Sequence, residues 1–146
     1  MQKREQTRRE ADPQFSLVLC TINRKKEVDK FLESLARQTF KQFEVIIVDQ
    51  NKDGLIDETI KKWQNLLLIE HIKVNFQGLS KARNFGIQYI KGNLIAFPDD
   101  DCEYQPSTLE KTEMFFRQNP KVSIVIGKQI SKIYGADRGT YAQAKE

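Results

Sequence analysis

Short apolar runs alternate along this chain with segments in which apolar residues recur every three or four positions. The apolar runs predict five strands: Phe15 to Cys20, Phe43 to Val48, one within Leu68 to Val74, Leu94 to Phe97, and Val122 to Ile126. The helical periodicity predicts four helices, whose apolar faces run over Val28 to Ala36, Ile56 to Leu67, Leu79 to Ile90, and Leu109 to Phe116. This alternation predicts βαβ units, and hence an α/β fold with a mainly parallel sheet and helices on both faces.

The length and the composition are those of one globular domain. The chain has 146 residues, of which 39% are hydrophobic, and this is enough apolar surface to form a core. We expect a flexible basic tail over residues 1–12, the folded domain over residues 13–134, and a loose tail over residues 135–146.

The charge and the cysteine content of the chain limit its expected cellular location and its expected binding partners. Lys and Arg exceed Asp and Glu by 24 to 20, and the interrupted basic residues at the start predict a solubilising arm, with no nucleic-acid partner. No apolar run approaches the ~20 residues of a membrane-spanning helix. Two cysteines do not make a disulfide framework, which favours a cytoplasmic location, and together with a single His they argue against a structural zinc site.

Four polar segments directly follow predicted strands. They are Thr21 to Arg24, Asp49 to Gly54, Asn75 to Lys81, and Asp99 to Cys102. In parallel sheets, ligands bind beyond the carboxyl ends of the strands, where such segments meet. The sequence therefore predicts the functional site at this edge of the sheet.

Three adjacent carboxylates carry the most specific chemistry in these segments. Asp99, Asp100 and Asp101 follow a strand and repel one another unless a cation neutralises them. Carboxylate oxygens suit Mg²⁺ or Mn²⁺, which keep coordination positions for substrate phosphates. The alternative interpretation is a solvated acidic turn ahead of the next helix.

Basic residues in two other segments are candidates for binding an anion. Lys81 and Arg83 lie near the start of a predicted helix, where the helix dipole favours negative charge, although an Arg here also serves to cover apolar surface. Asn23 and Arg24 follow the first strand, where a helix cap and a solvent-exposed charge are the simpler interpretation.

The segment Asp49 to Gly54 resembles the opening of an EF-hand calcium loop, but Ile60 occupies the position of the bidentate Glu and a strand precedes the loop. We interpret the segment as a turn. No glycine-rich phosphate loop or nucleophile-turn motif is present in the sequence. The single His71 lies within a predicted strand, and we interpret it as structural or exposed.

Four segments together resemble glycosyltransferase family 2. They are F-S-L-V-L-C-T-I-N-R (15–24), Q-T-F-K-Q-F-E-V-I-I-V-D (38–49), G-L-S-K-A-R-N-F-G-I (78–87) and G-N-L-I-A-F-P-D-D-D (92–101). The resemblance implies the Rossmann-like GT-A fold. It also implies transfer of a sugar, with inversion at the anomeric carbon, from a nucleotide-sugar donor to a glycan or lipid-linked acceptor.

The resemblance assigns the nucleotide-binding residues of the first two loops. Thr21, Asn23 and Arg24 stand where the family lines the nucleotide pocket. Asp49 lies near where the family binds the base, and Gln50 stands where many relatives have a second Asp. Because an amide both donates and accepts, uracil, thymine and guanine all remain open as the base.

The later motifs extend the assignment to the diphosphate and the metal. Lys81 and Arg83 resemble the basic residues that flank the ribose and diphosphate. The three aspartates look like the family's D-x-D motif, with Asp99 and Asp100 towards the nucleotide sugar and with Asp99 and Asp101 as ligands of Mn²⁺ or Mg²⁺.

Family members usually continue past this length, into the part that supplies the acceptor pocket and the general base. We therefore expect a donor-binding half that is truncated before the acceptor-binding part, without a recognisable general base. The alternative is a non-catalytic nucleotide-binding or partner-docking module. We expect the chain at the cytoplasmic side of a membrane, with an exposed sheet edge that promotes dimers.

Overall fold

The computed structural model describes residues 12–128, and the fold consists of four strands and four α-helices in alternation. The strands are β1 (Phe15–Thr21), β2 (Phe43–Asp49), β3 (Ile69–Lys73) and β4 (Leu94–Ala96). The helices are α1 (Lys25–Ala36), α2 (Asp57–Trp63), α3 (Leu79–Gly86) and α4 (Thr108–Gln118). The predicted tails, residues 1–12 and 135–146, lie outside the described residues except for Asp12.

All the strand pairs of the sheet are parallel, and the strand order is β3-β2-β1-β4. Phe15 of β1 pairs with Phe43 of β2 on one side and with Leu94 of β4 on the other. The chain thus adds β2 and β3 on one side of β1 and then crosses to the opposite side for β4. The order of the strands therefore reverses at β1 and β4, and open α/β sheets bind ligands outside the carboxyl ends of the strands at such a point. We call this edge of the sheet, at the carboxyl ends of β1 and β4, the crevice.

Helices cover both faces of this sheet, as the sequence predicts. On one face, residues of α1, α2 and α4 pack on alternate residues of β1 and β2, forming the larger core. On the other face, Ala82 of α3 packs in a cluster with Val18, Cys20, Ile46 and Val48. Because both faces of β1 and β2 are buried, these strands are near-continuous apolar runs rather than alternating ones.

The prediction of a fifth strand is wrong, and the third helix is shorter than predicted. The run from Val122 to Ile126 is irregular, and the side chains of Ile124 and Ile126 are exposed. β-branched residues favour a strand only where a neighbouring strand offers a ladder, and this run has none among residues 12–128. Helix α3 ends at Gly86 and continues as a single 3₁₀ turn, Ile87–Tyr89.

A buried polar network fastens the amino end of the sheet, opposite the crevice. The Ser16 hydroxyl donates to Glu44 Oε1 at 2.6 Å, and the backbone N–H of Lys91 donates to the same oxygen at 2.7 Å. The Gly92 N–H donates to Ser16 Oγ at 2.8 Å. Strand β4 is therefore tied to the start of β1 by the loop that precedes it.

No helix within residues 12–128 is both long enough and apolar enough to cross a membrane. The sheet ends at β4 on one side and at β3 on the other in this part of the chain.

The exposed edge at β4 predicts self-association. Ile95 on β4 and Phe97 just after it are each more than two-fifths exposed, and an apolar edge strand is a template for pairing with another chain. We expect the mass measured by light scattering to rise with protein concentration and Ile95→Lys to suppress that rise. A control variant, Leu66→Lys, replaces an exposed leucine away from β4 and should leave the association intact. A monomeric wild-type chain at all concentrations would contradict the prediction.

Candidate functional site

The crevice between β1 and β4 is lined by a hydrogen-bonded Thr–Asp pair. Thr21, the last residue of β1, donates its hydroxyl to Asp100 Oδ2 at 2.8 Å. The Asp100 side chain is 17% exposed, so this carboxylate is largely buried. Arg24 Nε lies 3.7 Å from Asp100 Oδ1, and Arg24 Nη1 lies 3.2 Å from Asp101 Oδ2. The loop after β1 and the loop after β4 therefore meet, as the sequence predicts.

A second arginine approaches the same loop from the opposite face of the sheet. Arg83 of α3 places Nη2 3.3 Å from Asp99 Oδ1, and its guanidinium also lies over the ring of Phe97. Asp99 and Asp101 are the more exposed of the three carboxylates, at 72% and 52%. Three aspartates are thus flanked by two arginines, at the point where the strand order reverses.

The electrostatics of this cluster favour a bound cation. Burial raises the pKa of Asp100 above its ordinary value, and the hydrogen bond from Thr21 and the charge of Arg24 only partly offset this effect. The negative charge of Asp101 raises the Asp100 pKa further. A carboxylate destabilised in this way gains from a divalent cation nearby, and its oxygens are of the type that Mg²⁺ and Mn²⁺ prefer.

The aspartates 99–101 do not themselves form a compact three-ligand group. Among residues 12–128, such a group within 4.8 Å is formed instead by Asp49, Asp57 and His71. Asp49 Oδ2 lies 2.9 Å from His71 Nε2 and Asp57 Oδ2 lies 2.6 Å from Lys73 Nζ, whereas Asp57 Oδ1 is buried and has no hydrogen-bond partner among residues 12–128. The pairs with His71 and Lys73 lead us to interpret this second cluster as a support for the loop after β2, and the assignment of Asp99 and Asp101 as metal ligands stays a prediction.

The hydrogen bond between His71 and Asp49 could not be predicted from the position of His71 in the sequence. His71 pairs with Ile47 while Asp49 pairs with Lys73, so His71 and Asp49 are diagonal neighbours on the same face of adjacent strands. This contact becomes predictable only when the register of β2 and β3 is known, because a shift of one residue would place the two side chains on opposite faces of the sheet.

The loop after β2 is held by hydrogen bonds to the loop after β1 and to the loop after β3. Asp49 Oδ1 accepts from the backbone N–H and the side-chain amide of Asn51, and Asn51 Oδ1 accepts from the backbone N–H of Asn23 at 2.7 Å. The Gln50 N–H donates to the carbonyl oxygen of Thr21 at 3.0 Å. The predicted nucleotide-binding residues of the first two loops are thus brought together.

One predicted site residue lies apart from the aspartate–arginine cluster. The ammonium of Lys81 lies over the ring of Phe76, 4.5 Å from its centre, rather than against a carboxylate. A cation in this position is held by the ring's electron-rich face. Lys81 therefore lies on the side of the site that adjoins the loop after β3.

The two cysteines near the site are poor nucleophiles. Burial raises the pKa of Cys20 to about 11, and burial together with the charge of Asp99 raises the pKa of Cys102 to about 11. Because the thiolate is the reactive form, both thiols are inert at neutral pH.

Asp49 should make stability depend on pH in the acid range. Burial by itself raises the pKa of Asp49, but hydrogen bonds from His71 and Asn51 outweigh it and leave the pKa below its ordinary value. The stabilisation is therefore present above the unfolded-state pKa of about 4 and is lost as pH falls through the lower folded-state pKa. We expect the free energy of unfolding, measured in urea from pH 6 to pH 3, to fall more steeply for wild type than for Asp49→Asn.

The exposed loop residue Asp53 provides the matched control. Asp53→Asn removes a carboxylate from the same loop without touching the His71 hydrogen bond, and it should keep the wild-type slope. Equal slopes for wild type and Asp49→Asn would contradict the assignment.

Comparison with known proteins identifies what this arrangement resembles. An uncharacterised glycosyltransferase of Haemophilus influenzae is 35% identical over 112 residues, covering 76% of this chain and 37% of that protein. The poly(ribitol-phosphate) β-N-acetylglucosaminyltransferase TarS of Staphylococcus aureus is 28% identical over 109 residues, which is 72% of this chain and 19% of TarS. The chain thus spans well under half the length of either relative.

A solved structure supports the same relationship. The crystal structure of a TarS fragment in complex with UDP-GlcNAc superimposes with a TM-score of 0.68 and 28% identity, over 73% of this chain and 32% of that one. This likeness confirms the predicted Rossmann-like GT-A architecture. The model of the family described as "Glycosyl transferase family 2" matches residues 16–144. This match, which covers most of the chain, shows that the chain belongs to glycosyl transferase family 2.

Proposed function

We propose that the crevice binds a nucleotide-sugar donor and that the sugar is transferred, with inversion, to a glycan or lipid-linked acceptor. The observation that carries this proposal is the cluster at the carboxyl ends of β1 and β4. There, Thr21 holds Asp100, and Arg24 and Arg83 flank the aspartates. The two arginines, together with a divalent cation on the aspartates, would match the charge of a diphosphate, and the place of the cluster in the fold suits a nucleotide.

The two arginines provide the direct contacts to the diphosphate. In the ligand-free chain they pair with Asp99 and Asp101, both of which are more than half exposed. Such pairs contribute little to stability, because water screens them, so exchanging a carboxylate for a phosphate oxygen costs little. A guanidinium is suited to this exchange, since its planar fork matches carboxylate and phosphate equally well.

The carboxylates of Asp99 and Asp101 are the residues that would hold Mn²⁺ or Mg²⁺. The raised pKa of Asp100 beside them supports a cation in this position, because Thr21 and Arg24 only partly stabilise the negative charge of the buried Asp100 carboxylate. When bound, the ion would stabilise the negative charge that develops on the departing diphosphate.

In the proposed transfer, an acceptor hydroxyl oxygen bonds to the anomeric carbon while the bond from that carbon to the phosphate oxygen breaks on the opposite side. The nucleoside diphosphate leaves with the bonding electron pair, and the hydroxyl proton passes to a general base. No residue between 12 and 128 is assigned as that base. The chain's own residues bind and orient the donor. TarS in its complexes with UDP and UDP-GlcNAc supports this donor class.

A thermal-shift panel of UDP, GDP, TDP and CDP, each with and without Mn²⁺, tests the proposal. A nucleotide at about 100 times its dissociation constant adds roughly 2.7 kcal/mol if it binds only the folded state. We expect one or more of the four to raise Tm, and chelation of Mn²⁺ to remove the increase. Failure of all four to raise Tm would contradict the proposed donor site. Nucleotide binding without transfer to any acceptor would favour a non-catalytic binding module instead.

A further inference from the structure

The guanidinium of Arg24 contacts two neighbouring carboxylates of the aspartate cluster. Its Nη1 donates to Asp101 Oδ2 at 3.2 Å, and its Nε lies 3.7 Å from Asp100 Oδ1. The first contact is a charge-assisted hydrogen bond, and the second is a longer ion-pair contact. Arg24 therefore occupies one of the two oxygens with which Asp101 can ligate a cation.

The position of Arg24 is not explained by the helix that follows it. Arg24 is the N-cap residue of α1, and its side chain makes no capping hydrogen bond. N-cap positions favour Ser, Thr, Asp and Asn, and the positive end of the helix dipole disfavours a cation. Departures from local preference of this kind are typical of functional sites. The carboxylates of Asp100 and Asp101 are the partners that stabilise the Arg24 charge here.

The backbone beside Arg24 is fixed, whereas its side chain can change partners. The N–H of Asn23 donates to Asn51 Oδ1 at 2.7 Å, and Asn23 has φ 58°, a conformation that Asn adopts more readily than most residues. The side chains of Arg24 and Asp101 are 43% and 52% exposed. Exposed ion pairs are weak because water screens them. A stronger competitor can therefore displace the guanidinium without a change in the fold.

A divalent cation and the guanidinium compete for the same carboxylate. Mg²⁺ and Mn²⁺ bind carboxylate oxygens directly, and like charges held close together repel each other. When a cation binds Asp101, Arg24 must therefore either move away or remain at an electrostatic cost. A diphosphate offers Arg24 a new partner, since a guanidinium binds phosphate oxygens as well as carboxylate oxygens.

We propose that Arg24 is a displaceable counter-ion that couples the binding of the cation to the binding of the nucleotide. This inference rests on the proposed function. In the chain without nucleotide, Arg24 neutralises Asp101 and lowers its affinity for the cation. When a diphosphate binds, Arg24 transfers to it, and Asp101 becomes available to the cation. Because such a coupling is reciprocal, the cation strengthens the binding of the nucleotide by the same factor.

Arg24→Gln tests the competition in the absence of nucleotide. We expect the variant to bind Mn²⁺ about fivefold more tightly than wild type, because the competing charge is gone. The measurement is a titration that follows the electron paramagnetic resonance signal of unbound Mn²⁺. If Arg24 instead positioned the aspartates for the cation, its removal would weaken Mn²⁺ binding, so the sign of the change separates the two roles.

The next residue, Lys25, provides the matched control. It is exposed and carries the same charge at the same end of α1, so Lys25→Gln reproduces the loss of a nearby positive charge. Because water and salt screen exposed charges, this variant should change the Mn²⁺ affinity by less than about twofold. An equal gain in the two variants would show a general electrostatic effect and would overturn the specific role of Arg24.

The coupling to the nucleotide is measured separately, by calorimetry with the best-bound nucleoside diphosphate. Mn²⁺ should raise the nucleotide affinity by a smaller factor in Arg24→Gln than in wild type, and Lys25→Gln should keep the wild-type factor. Unchanged or weaker Mn²⁺ binding by folded Arg24→Gln, or an unchanged factor, would overturn the counter-ion role while nucleotide binding by wild type stands. Failure of every nucleotide to bind wild type would instead overturn the proposed function.

Discussion

Replacing Asp101 by Asn should weaken Mn²⁺-dependent nucleotide binding by roughly 100-fold, or about 2.7 kcal/mol, because it removes one of the two carboxylates proposed to hold the cation. Asp101 is about half exposed and pairs with Arg24 at the surface, so the substitution leaves the core untouched. The measurement is titration calorimetry with the best-bound nucleoside diphosphate, in Mn²⁺ and again in chelator. In chelator the variant and wild type should bind alike.

The exposed Glu58 on α2 provides a control of equal charge. Glu58→Gln removes one negative charge at the surface outside the β1–β4 crevice and should keep the Mn²⁺ dependence of wild type. Unchanged affinity of Asp101→Asn in Mn²⁺ would exclude Asp101 as a metal ligand. A loss that is equally large with chelator present would assign Asp101 a structural role instead.

The largest expected effect on stability comes from adding a single methyl group at Gly92. A Cβ at this position would lie 2.7 Å from the carbonyl carbon of Phe15 and 2.8 Å from the backbone of both Gln14 and Ser16. These are backbone atoms at the start of β1, so they cannot move aside as a flexible side chain does. Gly92→Ala should therefore lower the free energy of unfolding by about 3 kcal/mol, at the upper end of overpacking costs. Urea unfolding measures this change.

Gly127 provides the matched control, because a Cβ there would meet nothing within 4 Å. Gly127→Ala should change the free energy of unfolding by less than about 1 kcal/mol, in the stabilising direction, since Ala restricts the unfolded chain more than Gly does. Similar stabilities for the two variants would show that the loop before β4 is looser than described.

Much of the fold is predictable from the sequence because its signals are local. The apolar run from Val45 to Val48 in β2 indicates a strand buried on both faces, and the spacing of Phe31, Leu32 and Leu35 indicates a helix packed on it. The parallel arrangement follows from the helices that separate the strands.

Features that depend on a partner far along the chain are not predictable in this way. The run Val122 to Ile126 has the composition of a strand but no ladder among the described residues. Glu44, a charged residue within an apolar strand, is buried because Ser16 and the N–H of Lys91 donate to it from 28 and 47 positions away. Its local sequence carries no sign of either donor.

The candidate site likewise has some features that the sequence predicts and others that it does not. That Thr21, Asp49 and Asp99 to Asp101 gather at one edge follows from strand order and direction alone. The choice of partners does not, since Arg24 contacts Asp101 across 77 positions and His71 contacts Asp49 only because of the strand register. The hydrogen bond from the Gly78 N–H to Gln50 Oε1 likewise depends on where the backbone of Gly78 passes.

The most direct test of the donor site is an NMR titration of the ¹⁵N-labelled chain with the nucleoside diphosphate that stabilises it most, in the presence of Mg²⁺. We expect the largest shifts at the backbone amides of Thr21, Gln50, Gly78 and Asp100, at the carboxyl ends of the strands. Amides at the opposite end, such as those of Ser16 and Gly92, should remain unchanged. Shifts concentrated at the amino end of the sheet, or none at saturating nucleotide, would contradict it.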